Sequence, residues 1–532
     1  MRREIGFGVR TLARELRRQV GARTALLGRP EAAHHLRVTV RRVPVVARVD
    51  PHLRLAAQQQ RVADLVVALL QELDLPYFWL AQPEGQGSVL CLRDGDRQRF
   101  ADLLGRVAGP AWYADPLDGD GSATGRLTRL AVGHDAGVGE PGLLVWEYVT
   151  TGPGSTFVAA EAQALTVFFW RRDAETGSWR SGVRNLAQDE LPGPEFRPVA
   201  PKGRPGAVRP SSQVDFPVDV VYTWVDGEDD GWLHSKARAA RVADEALFTE
   251  RAHHVSRYSD HDELRYSLRS LEQFAPWVNH VWIVTADQHP AWLRPDDPWV
   301  TVVSHRQLWG DEPGLPTFNS HAIETCLHRI PGLAEHFLYL NDDMLLGRPV
   351  RPETFFHGNG ISKFYWSRAI VNPGTSVTGE IASTTAARNA RRLLETALGT
   401  TFTRKFFHTA AAVTVSGLRE LEAQFPDVIS STRAAAFRTL DDVAMAGSFY
   451  LNWAYLTGRA VPGRLRYTYI DPAAPDAASR LRTLARNRTF DTFCVNDGSS
   501  EETPEQRRAT DRLIRDFFAA YLPVPGSFEV SG

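Results

Sequence analysis

An apolar, β-branched run, Val218-Asp219-Val220-Val221-Tyr222-Thr223-Trp224-Val225, stops abruptly at Asp226-Gly227. Such a run reads as a buried strand, and open α/β sheets place their ligands where strands deliver side chains at the carboxyl end. Further strand-like runs at His280–Thr285, Val300–Ser304 and Phe337–Leu340 alternate with helical stretches. Strands separated by helices pair in parallel, so the order predicts an α/β domain on a largely parallel sheet. Beyond Glu353 the pattern turns helical, with Leu418–Phe425, Asp441–Leu456 and Pro504–Tyr521 as the clearest segments. The last opens with Thr503 as N-cap and Gln506 three residues on.

At 532 residues the chain exceeds one ordinary core. Six prolines between Leu191 and Ser212 mark a linker. Boundaries of 1–190, 191–213 and 214–525 follow. In the first part a helical pattern at Leu55–Leu75 precedes short strand-like runs at Ser88–Leu92, Gly142–Val149 and Leu165–Trp170, which predicts a small α+β domain. Residues 1–48 are basic, and Ile5, Val9, Leu12, Leu16 and Val20 share one helical face. That face either covers the protein's own core or docks peripherally on an anionic membrane. Asp115, Asp118 and Asp120 lack the full ligand spacing of a calcium loop and read as a solvated turn.

Composition removes several function classes. A formal net charge of −2 argues against a nucleic-acid partner. Cys91, Cys326 and Cys494 have no paired spacing, so neither a disulfide framework nor a thiolate zinc site is indicated. No long uncharged apolar run and no signal-peptide core are visible, and the expected location is cytoplasmic, with peripheral contact at the inner membrane face through residues 1–48. Oligomeric state is not written in the sequence.

Phe337-Leu338-Tyr339-Leu340-Asn341 runs into Asp342-Asp343 as the opening strand runs into Asp226. Adjacent carboxylates at a buried strand end repel unless a cation shares them, and Mg²⁺ or Mn²⁺ suits such a site. Both acids serve one ion only if the strand ends there; a capped turn is the other reading. Asp260 and Glu263 read as N-cap and box partner of a helix that carries Arg265 and Arg269 on one face. Phe318, Asn319 and Ser320 lead into a stretch with His321, Glu324 and His328 on one helical face, read as a polar wall of a cleft.

The blocks Asp219–Gly227, Glu263–Ser270 with Ala275–Val278, and Phe337–Asp343 resemble the Stealth family of sugar-phosphate transferases, which includes bacterial capsule and exopolysaccharide enzymes and the lysosomal-enzyme N-acetylglucosamine-1-phosphotransferase. Arg404–His408, Arg438 with Asp441-Asp442, and Phe493–Gly498 continue the resemblance in order. It implies a nucleotide-sugar-binding sheet of GT-A or Rossmann-like type with helical C-terminal additions. It also implies transfer of a hexose-1-phosphate from a UDP-sugar donor to a glycan acceptor, with release of UMP. A metal-dependent glycosyltransferase releasing UDP and a non-catalytic glycan-binding scaffold are the competing readings.

On that resemblance Asp342, Asp343, Asn496 and Asp497 hold the metal. His408 is the general base, Arg265 and Arg438 neutralise phosphate oxygens, and Asp442 orients His408 or Arg438. Tyr222, Trp224 and Asp226 shape the uridine pocket, and Asn319 and Glu324 line the substrate cleft. Two positions depart from the family: animal members carry a second histidine where this chain has Ala411, and some relatives have asparagine at the position of Asp226.

Overall fold

The computed structural model describes residues 34–40, 42–82, 87–131, 139–197, 210–241, 261–375, 380–496 and 503–530. The helical face at Ile5–Val20 lies outside these residues; the described part of 1–48 includes a β-hairpin, His35–Val40 paired with Val43–Val49. The chain divides into two compact units. One is Met1–Gln213 with Ala485–Asn487 and Ala520–Val524, and the other holds the remainder.

The N-terminal unit packs two helices, α1 (Leu55–Glu72) and α2 (Arg97–Val107), with an eight-stranded sheet. Its strands include β1 (Tyr77–Gln82), β2 (Gly87–Arg93), β3 (Trp112–Leu117), β4 (Gly142–Glu147), β5 (Leu165–Arg172) and β6 (Trp179–Ser181). β5 pairs antiparallel with β4 and β6 but parallel with β2. The pattern Val62, Val66, Leu69, Leu70 buries one face of α1 against this sheet, as helical spacing requires. Asp115 is fully buried, not solvated; it accepts from the Gly125 N–H at 2.9 Å, while Asp118 closes the turn from Asp120 and Ser122.

In the second unit β7 (Val218–Thr223) is central to a mixed five-stranded sheet. β8 (Val281–Thr285), β9 (Val300–Ser304) and β10 (His336–Asn341) extend it in parallel pairings, and Ala411–Thr414 closes the β10 edge antiparallel. Val220, Val221 and Tyr222 are completely buried, as a strand covered on both faces demands. Asp219 sits in this core because three donors satisfy it: Asn279 Nδ2 at 2.8 Å, Trp282 Nε1 at 2.9 Å and the Ala334 N–H at 2.9 Å. β10 ends at Asn341, and Asp342-Asp343 form the turn into β11 (Met344–Leu346).

The helical segments differ from the sequence expectation in two places. α3 (Asp230–Ala240) precedes α4 (Glu263–Phe274), whose N-cap is Asp262 in the left-handed region, not Asp260, which lies outside the described residues. Glu263 accepts from the His261 N–H at 2.5 Å. Asp441-Asp442 lie in a turn, and the helix expected from there begins with a π-type turn at Met445. Thr503 and Gln506 do form a reciprocal cap, at 2.8 and 3.2 Å. Among the described residues no helix is long and apolar enough to cross a membrane.

The C-terminal segment is held to α4 by charge. Glu529, almost wholly buried, accepts from Arg269 Nε at 2.5 Å and from Arg265 Nε at 2.7 Å. Burial raises its pKa, but hydrogen bonds from Arg269 and the Gly526 N–H, with the Arg269 charge and Arg265, outweigh that and hold it below the usual carboxylate range. A depressed folded pKa contributes stability above the unfolded value, which is lost as pH falls through the folded one. Glu529→Gln is therefore expected to flatten the acid limb of a melting-temperature profile below pH ~4.5. Arg269→Ala should cost about 3 kcal/mol in denaturant titration, because it strips a buried carboxylate of its best partner.

Candidate active site

The turn after β10 gathers the acids with residues from distant segments. The strand Thr492–Val495 runs antiparallel to β11 with Met344 opposite Cys494, and the Val495 N–H reaches the Asp343 carbonyl at 3.3 Å. This pairing sets Cys494 and Asn496, two residues apart, beside Asp343. Cys494 Sγ donates to Asp343 Oδ2 at 3.4 Å and Asn496 Nδ2 to the same oxygen. His408 arrives from the other side, because the strand it precedes is antiparallel and enters at the carboxyl end of β10. Its Nε2 lies 3.3 Å from Asp343 Oδ2, and its side chain remains 43% exposed.

Charge organises this cluster. Partial desolvation of a ring that still meets solvent lowers the His408 pKa, but the Asp343 carboxylate, through charge and hydrogen bond, and Asp342 beyond it raise it above the ordinary imidazole value. Burial conversely raises Asp343, and His408, Asn496 and Cys494 together bring it below the usual range. Burial and the neighbouring Asp343 push the Cys494 thiol far up, so it stays a neutral donor.

Asp343 Oδ1 is buried with no hydrogen-bond partner, an acceptor left open beside a second carboxylate. Ligand atoms of Asp343, His408 and Cys494 all lie within 4.8 Å of one another, so the group is a possible metal site. The carboxylate oxygens of Asp342 and Asp343 fit a hard divalent cation. Asn496 presents its amide N–H to Asp343, which makes it a support for that carboxylate. Asp497 lies outside the described residues.

A second layer surrounds the acids. Glu324 is buried and accepts from the N–H groups of Ala446 at 3.1 Å and Gly447 at 3.3 Å. Burial pushes its pKa up to about 7 against the opposing charge of Arg438, those N–H groups and Tyr339. Arg438 donates to Ser320 Oγ at 2.6 Å. Tyr339 bonds Thr223 Oγ1 at 3.3 Å, and burial followed by Glu324 drives its hydroxyl well above the usual range. Tyr339, Thr223 and Cys494 were not singled out from sequence. Strand alternation gave a signal for Cys494, which lies two residues before Asn496 and so shares its face.

Other expected site residues are placed elsewhere. Tyr222 is fully buried and bonds Ser267 Oγ at 2.6 Å, which in turn donates to the Met344 carbonyl at 2.5 Å. It braces the acid turn from inside the core and walls no pocket. Trp224 is also buried. Arg265 is engaged by Glu529. Asp442 accepts from Asn319 Nδ2 at 2.8 Å and from the Thr439 N–H and hydroxyl at 3.0 and 2.6 Å, and faces His321 at 3.6 Å. It therefore fixes the loop that carries Arg438, without a contact to His408. Asn319 is completely buried as the N-cap of the short helix Ser320–Glu324. That helix ends before His328, which pairs with Glu422 at 2.9 Å, so His321, Glu324 and His328 face three different partners and form no common polar wall.

A cleft of about 550 Å³ opens at the carboxyl ends of β7, β8 and β9, the same sheet edge as the acid turn. Asp226, Trp232, Gln288, His289, His305 and Arg238 are among its lining residues. Gln288 pins Asp226 by its backbone, with bonds of 3.0 and 2.9 Å. The Asp226 carboxylate accepts from the Glu228 N–H at 2.9 Å.

Family models match three stretches: Stealth protein CR1, conserved region 1, at 216–241; Stealth protein CR2, conserved region 2, at 257–364; and Stealth protein CR4, conserved region 4, at 482–532. The chain is 36% identical over 510 residues to "Exopolysaccharide phosphotransferase SCO6021" of Streptomyces coelicolor, covering 90% of this chain and 92% of that one. It is 32% identical over 522 residues to "Exopolysaccharide phosphotransferase CpsY" of Mycobacterium tuberculosis, covering 94% of each. Among solved structures, a galactosyltransferase in complex with donor and acceptor sugar analogues aligns at a TM-score of 0.26 and 12% identity, over 57% of this chain and 96% of that one.

Proposed function

Because the chain belongs to the Stealth protein family, we propose that it is an exopolysaccharide phosphotransferase that moves a hexose-1-phosphate from a UDP-sugar to a glycan hydroxyl. The observation that carries the reading is the convergence on one sheet edge of Asp342, Asp343, His408 and the Glu324–Arg438 pair, with a cleft of nucleotide size on the same edge.

In this reading the nucleoside enters the cleft at Asp226 and Gln288, and the diphosphate extends toward the acid turn. Asp343, through its unpartnered Oδ1, and Asp342 would hold Mg²⁺ or Mn²⁺, which when bound supplies charge neutralisation to the phosphate oxygens. Arg438, kept in place by Ser320 and the neighbouring Glu324, neutralises the oxygens of the transferred phosphoryl group. With Nε2 turned to Asp343, the proton of the neutral ring would sit there and leave the Nδ1 lone pair for the acceptor proton. The acceptor oxygen bonds to the β-phosphorus, the bond from that phosphorus to the bridging oxygen breaks, and UMP leaves with the bridging oxygen. The hydroxyl proton passes to His408.

Phosphotransfer and sugar transfer differ in the leaving nucleotide. Incubation with UDP-sugars, a glycan acceptor and Mg²⁺, followed by mass analysis, is expected to show UMP rising with product. UDP in place of UMP would assign the chain to glycosyl transfer.

A further inference from the structure

In the N-terminal unit, β2 and β5 end at a cleft of about 530 Å³ lined by Arg93, Asp94, Trp170, Arg171, Arg172 and Trp179 among others. Register explains its composition. Arg93 on β2 lies opposite Trp170 on β5, and Arg172 on β5 lies opposite Trp179 on β6. Residues directly opposed, or two apart on one strand, project from the same face. Two arginines and two tryptophans thus stand together.

The arginines are not consumed by the fold. The Arg93 guanidinium sits 5.4 Å from the Trp179 ring and 5.5 Å from the Phe196 ring, and its Nε is buried with no hydrogen-bond partner. Arg172 is exposed and makes no ion pair among the described residues. The acids nearby are already engaged: Asp94 with Arg97 and, at 3.4 Å, Arg171, and Asp96 with Arg99 at 3.7 Å. A stacked, partly desolvated guanidinium without an anion is held ready for one.

We propose that this cleft binds the phosphodiester groups of a glycan chain. The inference rests on the reaction proposed above: each transferred hexose-1-phosphate leaves one phosphodiester, and one negative charge, in the product. After the first round the acceptor carries those charges. Guanidinium groups match phosphate oxygens in geometry and charge. A site for earlier phosphodiesters retains the growing chain between rounds by raising its effective concentration.

The test is calorimetry on the full chain, without sugar nucleotide, using a phosphodiester-linked hexose oligomer and an uncharged oligomer of the same sugars and length. The charged oligomer is expected to bind about tenfold more tightly, and Arg172→Glu and the pair Arg93→Gln with Arg172→Gln should each remove that preference. Arg172 is exposed, so its substitution leaves the core intact, and nucleotide release with a single-sugar acceptor should be unchanged in it. Equal binding of the two oligomers, or a preference that survives in both variants, overturns the site. Equal affinity for single-stranded DNA of the same charge also overturns it, in favour of a non-selective polyanion surface. Absence of the preference with UMP still released sinks the subsite alone; a clear preference with UDP released sinks the proposed reaction and leaves an anion site.

Discussion

Asp343→Asn is expected to reduce turnover by at least about a thousandfold, because one carboxylate orients the base, receives Asn496 and Cys494, and offers its buried Oδ1 to a cation. The amide preserves shape and removes charge, so circular dichroism and melting should stay close to the wild type. A second readout separates this from a folding defect. Asp343 is the largest influence raising the His408 pKa, and burial, which lowers it, remains after the substitution. The His408 ring resonances followed by NMR against pH should therefore titrate lower in Asp343→Asn. An unchanged titration with full activity would remove Asp343 from the centre of the site.

His408→Ala is expected to cost about a hundredfold or more in kcat, the usual contribution of a positioned general base. The sign of its pH dependence follows from the raised pKa. A base acts in its neutral form, so activity should rise with pH through an acid limb that belongs to His408, and in the metal-free protein, where the Asp343 charge is unshared, the ring should titrate above the ordinary imidazole value. In His408→Ala that limb should vanish, and the residual rate should be flat across the same window. A variant with normal rate and an intact limb would transfer the proton-acceptor role elsewhere. Glu324, with a pKa near 7 and a place beside Arg438, would be the next residue to test.

Local sequence patterns carried much of the fold. The four parallel strands fall within two residues of the expected runs because β-branched apolar segments bounded by turn residues have few alternatives to a buried strand. Asp342-Asp343 were legible for the same reason, as acids interrupting an apolar run. Errors arose where several local solutions were equally good. The spacing of His321, Glu324 and His328 satisfies a helical face, yet the helix stops at Glu324 and each side chain turns to a different partner. Arg265 had the right chemistry for a phosphate, and nothing near it in sequence announces that Glu529, far along the chain, would claim it.

What the sequence determined by itself was periodic: strands, helix ends, the acids at a strand's close, and the motif blocks that resemble one family. What only tertiary structure decided was which side chains share a charge environment. His408 meets Asp343 because the strand that follows it, Ala411–Thr414, pairs antiparallel to β10, and Asn496 and Cys494 join them through a register with β11. Tyr222, in the very run that announces the fold, became a brace in the core rather than a pocket wall. The physical reason is range. Propensity and periodicity act over a few residues and are written locally, whereas electrostatic coupling and desolvation depend on distance in space, which is set only when segments far apart in the chain pack together.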